Sequence, residues 1–426
     1  MTGSELLDAH ERDGLAEELI RRADLDSARA AIAGLALRTP TIPSPALLDA
    51  STGASADGAA RGRSLLKAEC LQVAGSFKIR GALSRLAALG EEAEAGLVTA
   101  SAGNHARAVA QAARSNGLEC EVFMPLDAPV SKVLAVEALG ARVRLGGSTV
   151  EEALERAGEA SSASGAAFVH PFDDLDVIAG QATLGLELIE DVPDLARVVV
   201  PVGGGGLASG IGIALRRAGV RAQLIGVQAE LCAPFLDALG RGTATELSET
   251  TIADGVAVKR PGRLTLPLLA ELLDDLVTVS EDQIADAMVF LAERAKLVAE
   301  GAGAVAVAAL LAGLLPPVDG ATVAVVSGGN VDSALLASLL LRHEAEEGRR
   351  VRIHTRVPDR PGGLAELLGL IARARANVVS VEHLREAVPL HPRETAVELT
   401  LETRGRGHTE ELMATLAAGG YEARFD

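Results

Sequence analysis

The sequence predicts an α/β protein in which a parallel sheet flanked by helices is followed by a smaller βαββαβ unit. Three observations carry this expectation. From residue 64 onward, short apolar runs alternate with helix-patterned segments, the signature of a parallel sheet with helices on its faces. Three of the strands end in glycine- or serine-rich turns that open directly into helices or loops, at 101–105, 203–206 and 327–330, and open α/β sheets bind ligands at that edge. Beyond residue 350 the order changes to strand, helix, strand, strand, helix, strand, the ferredoxin-like unit.

Taken in order, residues 1–24 are polar and charged with little apolar periodicity, and read as a loose or helical N-terminal extension. The first strand is 64–70. Strands at 96–99, 119–125, 141–145 and 166–170 alternate with helices at 102–116, 131–139 and 149–160, so about 95–170 reads as a small subdomain inserted into the larger domain, 25–341. A helix at 177–189 leads to strands at 197–202, 222–228, 276–279 and 321–327, with helices at 207–218, 283–297 and 304–314. Ser280-Glu281-Asp282-Gln283 is a capping box that opens one of them. The charged run 342–350 reads as a linker. The second domain, 351–426, places strands at 351–357, 378–385, 395–402 and 421–425 and helices at 363–375 and 409–418.

Composition narrows the function. The hydrophobic share is 48% but aromatic residues make up 2%, with no Trp, so the core must pack on Ala, Leu and Val. A net charge of -18 and a pI near 5.0 exclude basic stripes for nucleic acid or an anionic membrane surface. Cys70, Cys120 and Cys232 are odd in number and far apart, which fits reduced thiols in a cytoplasmic protein. The start of the chain lacks the basic and apolar regions of a signal peptide. The uncharged run 301–318 is rich in Ala and Gly and ends at Pro316-Pro317, so it reads as a buried helix rather than a membrane span. The eight histidines show neither HExxH nor any pairing with CxxC, and no metal site is expected.

Four motifs carry chemistry. Lys78, in Gly75-Ser76-Phe77-Lys78-Ile79-Arg80-Gly81, lies just inside a helix start. The partial positive charge there, together with desolvation by Phe77 and Ile79, favours the neutral amine that attacks carbonyls; from this stretch alone, the reading as a surface lysine on a first turn comes ahead. Ser101-Ala102-Gly103-Asn104-His105 offers N–H groups and a hydroxyl for a carboxylate and an amide for a ligand oxygen, although a helix N-cap needs no ligand. His105 has no catalytic partner nearby and reads as structural. Gly203-Gly204-Gly205-Gly206-Leu207 after a valine-rich strand is a side-chain-free loop suited to phosphate. It is not a Walker A loop, but it matches GxGxxA with Glu230 downstream, which keeps a nicotinamide dinucleotide in view. Ser327-Gly328-Gly329-Asn330 brings a hydroxyl to the same edge.

Together these supply a lysine, a hydroxyl-and-amide loop, a phosphate cradle and a neutral serine. Pyridoxal phosphate needs these for its aldehyde, ring hydroxyl, phosphate and ring nitrogen, whereas a dinucleotide leaves Lys78 unexplained. Over about residues 25–340 the chain resembles the fold-type II pyridoxal-phosphate enzymes (tryptophan synthase β-like), specifically the threonine dehydratase (threonine ammonia-lyase) family. Ile252-Ala253-Asp254-Gly255-Val256 and Glu300-Gly301-Ala302-Gly303-Ala304 also look like that family. The resemblance implies that Lys78 is the Schiff-base lysine with Phe77 packed on the ring. Asn104 would bond the ring hydroxyl, Gly203, Gly204, Gly205, Gly206 and Leu207 the phosphate, and Ser327 the ring nitrogen. By the same resemblance, Ser101, Ala102, Gly103 and His105 would form the substrate-carboxylate loop.

The implied reaction is β-elimination from L-threonine to 2-oxobutanoate and ammonia, and from L-serine to pyruvate. The related serine racemases use a serine where Ala102 stands, so elimination is expected over racemisation. Gln228 and Pro234 replace the carboxylates of the racemase cation site, and no magnesium or calcium requirement is expected. Arg107 replaces a glutamine usual in the dehydratases. Residues 351–426 resemble an ACT domain through Val357-Pro358-Asp359-Arg360-Pro361-Gly362-Gly363-Leu364 and Asn377-Val378. That implies an amino-acid effector, isoleucine or valine, near Asp359, Gly362, Gly363 and Asn377, in a homodimer or homotetramer; a domain used only for assembly is the alternative. A serine racemase-like enzyme, a NAD-dependent dehydrogenase and a non-catalytic amino-acid sensor remain the other readings.

Overall fold

The computed structural model describes residues 9–52, 62–241, 251–384 and 393–425. The chain divides into two compact units, Met1–Val331 and Asp332–Asp426. In the first, the strands are β1 (Thr41–Pro43), β2 (Gly62–Ala68), β3 (Leu97–Ala100), β4 (Cys120–Met124), β5 (Arg142–Leu145), β6 (Ala167–Phe168), β7 (Leu195–Pro201), β8 (Gln223–Ala229), β9 (Asp275–Val279) and β10 (Gly320–Val326). Six form one sheet in the order β1-β2-β10-β7-β8-β9, and four form a second in the order β5-β4-β3-β6. All neighbours are parallel except β1 on β2. Covered on both faces, the central strands need continuous rather than alternating apolar residues. Val198–Val200 and Val323–Val326 are accordingly fully buried.

Small residues replace aromatic bulk in this core. The helix Gly301–Leu311 is buried from Gly301 to Leu310, as a helix that is apolar all round must be. The helices Lys78–Leu89 and Leu175–Asp191 approach so closely that a Cβ on Gly180 would lie 2.5 Å from the Arg80 carbonyl. The capping box forms as read, with Gln283 N donating to Ser280 Oγ at 3.3 Å and Ser280 N to Gln283 Oε1 at 2.8 Å.

One expectation is narrowed and two are corrected. Of the two readings of the N-terminal segment the helical one holds: residues 1–8 lie outside the described residues, but the helix Ala9–Arg22 buries Ala16, Leu19 and Ile20, with Leu19 and Ile20 in a core shared with Ile178, Ala182 and Leu268. Its apolar stripe is narrow and flanked by charges, which hid its periodicity. The helix expected over 283–297 ends at Phe290, continues as one π turn at Leu291–Ala295, and breaks at Lys296 with φ 60°. Such wide turns concentrate at functional sites, and this one delivers the chain to Glu300. Finally, 342–350 is not a linker. Its first five residues complete the helix Ser333–Glu346, where Arg342 Nε donates to Glu346 Oε1 at 2.7 Å, and Arg350 opens the next strand. Charges of alternating sign four residues apart support a helix.

The second unit carries β11 (Arg350–Pro358), β12 (Asn377–Leu384), β13 (Glu394–Glu402) and β14 (Arg424–Phe425), antiparallel in the order β12-β13-β11-β14. Residue 385, expected at the end of the second strand, lies outside the described residues, and the last strand is shorter than expected. The helices Gly363–Arg373 and Arg406–Ala418 cover a core that includes Ile353, Leu367, Ile371, Val397, Leu399 and Leu412.

Candidate active site

The chain reaches Lys78 through a turn locked to the end of β10. Ser76 bridges Gly328, and Phe77 N donates to Ser327 O at 3.1 Å. Lys78 begins the helix Lys78–Leu89, its Nζ 5.2 Å from the centre of the Phe77 ring and donating to Pro171 O at 2.8 Å. The side chain is half-buried by area. The protein packed around its amine brings the pKa down to about 8, with the nearby Glu300 carboxylate opposing the shift. Burial is thus the main cause.

Asn104 opens the helix Asn104–Ser115, and both ends of its amide are taken. Nδ2 donates to Glu300 Oε1, and Oδ1 accepts from Asn330 Nδ2 at 2.6 Å, which also donates to Ala74 O at 2.9 Å. Burial, reinforced by Asp254, pushes the Glu300 carboxyl up to about 7, while the Asn104 donor, Lys132 and Arg107 oppose that rise. A Cβ on Gly328 would run into the Glu300 carboxylate and push it from Asn104. Ser327 is buried, and its hydroxyl donates to Ala302 O at 3.2 Å.

In the expected carboxylate loop, Ser101 Oγ accepts from Gly103 N at 3.0 Å. His105 is buried and neutral, its pKa down to about 3 chiefly through burial. Its Nε2 lies 3.0 Å from Val169 O. A carbonyl can only accept, so the ring's one proton is on Nε2 and is already committed. Ala102 and Gly103 are half-buried in the same turn.

The glycine loop follows β7 and leads into the helix Gly206–Ala218, with Gly205 at φ 89°. A Cβ on Gly203 would lie 2.8 Å from Val256 Cα, and one on Gly204 would enter the Phe172 ring. Among the described residues the N–H groups of Gly203–Gly206 have no backbone acceptor, which leaves an anion cradle at a helix N-terminus beside Leu207. Gly204→Ala is expected to displace Phe172 and destabilise the larger unit by about 1–3 kcal/mol, the usual scale of overpacking; denaturant unfolding measures it.

The structure therefore gathers Phe77, Lys78, Ser327 and the glycine loop at the ends of strands of the six-stranded sheet, while Asn104 comes from the four-stranded sheet, after β3, and meets that group through Glu300 and Asn330, so the expected single sheet edge is in fact shared between two sheets. Glu300, Asn330 and the loop 170–174 join them. The first two were legible only as members of glycine-rich motifs, and nothing marked the third. Gln228, where the racemases place a carboxylate, has both amide ends tied to backbone, at Val202 O (3.1 Å) and Phe235 N (3.2 Å); Pro234 opens the helix Pro234–Ala238. In the second unit, Asp359, Gly362 and Gly363 share the turn after β11, with Gly362 at φ 93°. Asp359 N donates to Arg393 O at 2.8 Å, and Asn377 Nδ2 is bonded across the sheet to Glu402 at 2.9 Å.

Known proteins resemble the chain closely. The profile of the family described as "Pyridoxal-phosphate dependent enzyme" matches residues 32–329. The L-threonine ammonia-lyase of Thermotoga maritima is 48% identical over 367 residues, covering 85% of this chain and 91% of that protein. Among solved structures, maize serine racemase has a TM-score of 0.68 at 34% identity, covering 76% of this chain and 99% of that one. The processed form of threonine deaminase isoform 2 from Solanum lycopersicum has a TM-score of 0.66 at 32% identity, covering 78% and 88%.

Proposed function

The chain belongs to the pyridoxal-phosphate dependent enzymes, and from that premise we propose that it deaminates L-threonine to 2-oxobutanoate and ammonia, and L-serine to pyruvate. The observation that carries the reading is the amine of Lys78, with its lowered pKa, at the same end of the six-stranded sheet as the Gly203–Gly206 cradle, whose N–H groups meet no backbone acceptor among the described residues. The residues fit the cofactor: an amine for its aldehyde, a cradle for its phosphate, and the amide of Asn104 and the hydroxyl of Ser327 for its ring. When bound, the cofactor supplies a carbonyl that condenses with amines and a ring that draws electrons from the substrate α-carbon.

The chain's own residues then have separate tasks. The free amine of Lys78 would take the α-proton. The cradle and Asn104 hold the ring against rotation, and the Ser101–Gly103 turn receives the substrate carboxylate. Ser327 is a neutral hydroxyl and does not hold the ring nitrogen protonated, which favours prompt loss of the β-hydroxyl. Ala102 stands where the racemases carry their second acid/base group, and a methyl group moves no proton. This favours elimination, although a racemase is among the similar structures.

The second unit is read as an ACT-type regulatory domain that binds isoleucine or valine near Asp359, Gly362, Gly363 and Asn377. Steady-state rates on threonine and serine, with and without isoleucine, test the whole reading. Threonine turnover with isoleucine inhibition is the expected result, and absence of keto acid from both substrates in the cofactor-loaded protein would overturn it. Removing residues 332–426, a compact unit of their own, is expected to abolish isoleucine inhibition while elimination persists.

A further inference from the structure

We propose that residues 169–174 form a fixed strap whose Pro171 carbonyl receives the Lys78 amine whenever that amine is not covalently engaged, with His170 as the positioning residue that holds the carbonyl in place. The proposal rests on Lys78 being the reactive amine of the reading above.

The strap is anchored at each end and in its middle. Val169 O accepts from Thr99 Oγ1 at 2.8 Å as well as from His105 at 3.0 Å. Asp173 accepts from the backbone N–H groups of Arg263 and Leu264, both at 2.8 Å, and of Thr265 at 3.4 Å, where the helix Thr265–Leu272 begins. Asp174 caps the helix Leu175–Asp191 through Asp176 N at 2.9 Å and Val177 N at 3.1 Å. Phe172 fits between them, its Cβ 3.2 Å from where a side chain on Gly206 would begin. The strap thus bounds the glycine cradle and touches Lys78 at the same time.

His170 closes the turn from within. Its Nδ1 accepts from Asp173 N at 2.8 Å and from Phe172 N at 3.3 Å, as an Asx side chain does in a turn of its own backbone. The Phe172 ring meets the imidazole edge-on at 4.9 Å. Both donors are N–H groups, so Nδ1 carries no proton, and burial keeps the ring neutral despite Asp173 and Asp174. The residue between His170 and Phe172 is a proline, which has no N–H. At that point the backbone offers Lys78 an acceptor and nothing else.

A lysine amine on four rotatable bonds needs such a stop. Docked on the carbonyl through one N–H at 2.8 Å, the amine has a defined position, and in its neutral form, which gains ground as the pH passes about 8, its lone pair stays free. Misplacement of a reacting group by about 1 Å can cost a hundredfold in rate. The titratable groups whose charge bears on this amine are Glu300, His105 and His170.

The chain has five lysines, Lys67, Lys78, Lys132, Lys259 and Lys296, so lysine-selective 13Cε labelling of the full-length, cofactor-free protein gives few signals, with Lys78 assigned from Lys78→Ala. In His170→Ala the turn loses its acceptor. The expected result is a fall in kcat of roughly ten- to hundredfold with KM within about threefold, and a Lys78 titration moved up from about 8 toward the ordinary lysine range as water reaches the amine. His170→Asn keeps an acceptor two bonds from Cβ and is expected to restore both readouts. Wild-type kcat and Lys78 titration in His170→Ala would overturn the proposal, as would an Asn variant no better than Ala, which would give the imidazole a chemical task of its own. If His170→Ala does not fold, His170→Gln, with its acceptor one methylene too far out, takes its place under the same outcomes. A wild-type protein that makes no keto acid from threonine defeats the proposed function instead, and that result is read independently of the variants.

Discussion

Lys78→Ala will fold and still take up the cofactor through the Gly203–Gly206 cradle, but will lose threonine elimination by at least about a thousandfold, since it removes both the nucleophilic amine and the base. The substitution breaks one hydrogen bond, to Pro171 O, and leaves the surrounding core untouched. Its effect on stability has a defined sign. In the folded protein burial brings the pKa of this amine down from 10.5, the ordinary lysine figure, to about 8. Between those two pH values the unfolded chain binds more protons than the folded one, so wild-type stability rises with pH across that window. Below about 8 the lysine opposes folding. Lys78→Ala is therefore expected to be more stable than wild type at neutral pH and to lack the rise between about 8 and 10.5. Urea titrations at several pH values check this, and threonine turnover near the wild-type rate would move the chemistry to another residue.

Arg80→Met is expected to destabilise the larger unit by about 3–5 kcal/mol, because it strips one partner from a buried ion network. Arg80 and Glu69 are both fully buried. Arg80 grips Glu69 through Nε at 2.9 Å and Nη2 at 2.8 Å, and reaches Glu187 through Nη1 at 2.6 Å and Nη2 at 3.0 Å, Thr183 at 3.2 Å and Leu37 O at 3.2 Å. Lys67 Nζ, also buried, donates to Glu187 Oε2 at 2.6 Å and to Thr39 O at 2.8 Å. In spite of burial, Arg80, its neighbour Thr39 and the charge of Lys67 keep Glu69 ionised. Without Arg80, Glu187 retains Lys67, but Glu69 is left with the Thr39 hydroxyl and a distant Gln72 amide. Replacing both Arg80 and Glu69 with methionine is expected to recover much of the loss, since no charge then remains unpaired there. Denaturant unfolding of the single and double variants reads this directly, and a loss below about 1 kcal/mol for Arg80→Met would show the network relaxing around the gap.

Helix starts, strand ends and glycine turns are local events, and those of the catalytic unit were legible. Lys78 at a helix start, four glycines after a buried strand and a serine closing another strand can be read from a dozen neighbouring residues each. What was left open or misread was local ambiguity too. The narrow stripe of Ala9–Arg22 is diluted by charge and leaves helix and loose chain both open, the alternating charges of 342–350 suit a helix end as well as a linker, and no residue in 283–297 announces the π turn.

By itself the sequence determined the parallel order of helices and strands, the βαββαβ unit after it and the four chemical motifs, because periodicity and turn chemistry act over a few residues. Only the tertiary structure decided what those motifs meet. Glu300 reaches Asn104 across 196 residues, Asn330 reaches it across 226, and Pro171 accepts the amine of Lys78 across 93. Contacts at such separations exist only once the sheets have formed, and the burial that lowers the pKa of Lys78 and raises that of Glu300 is a property of the packed core, which no residue carries by itself.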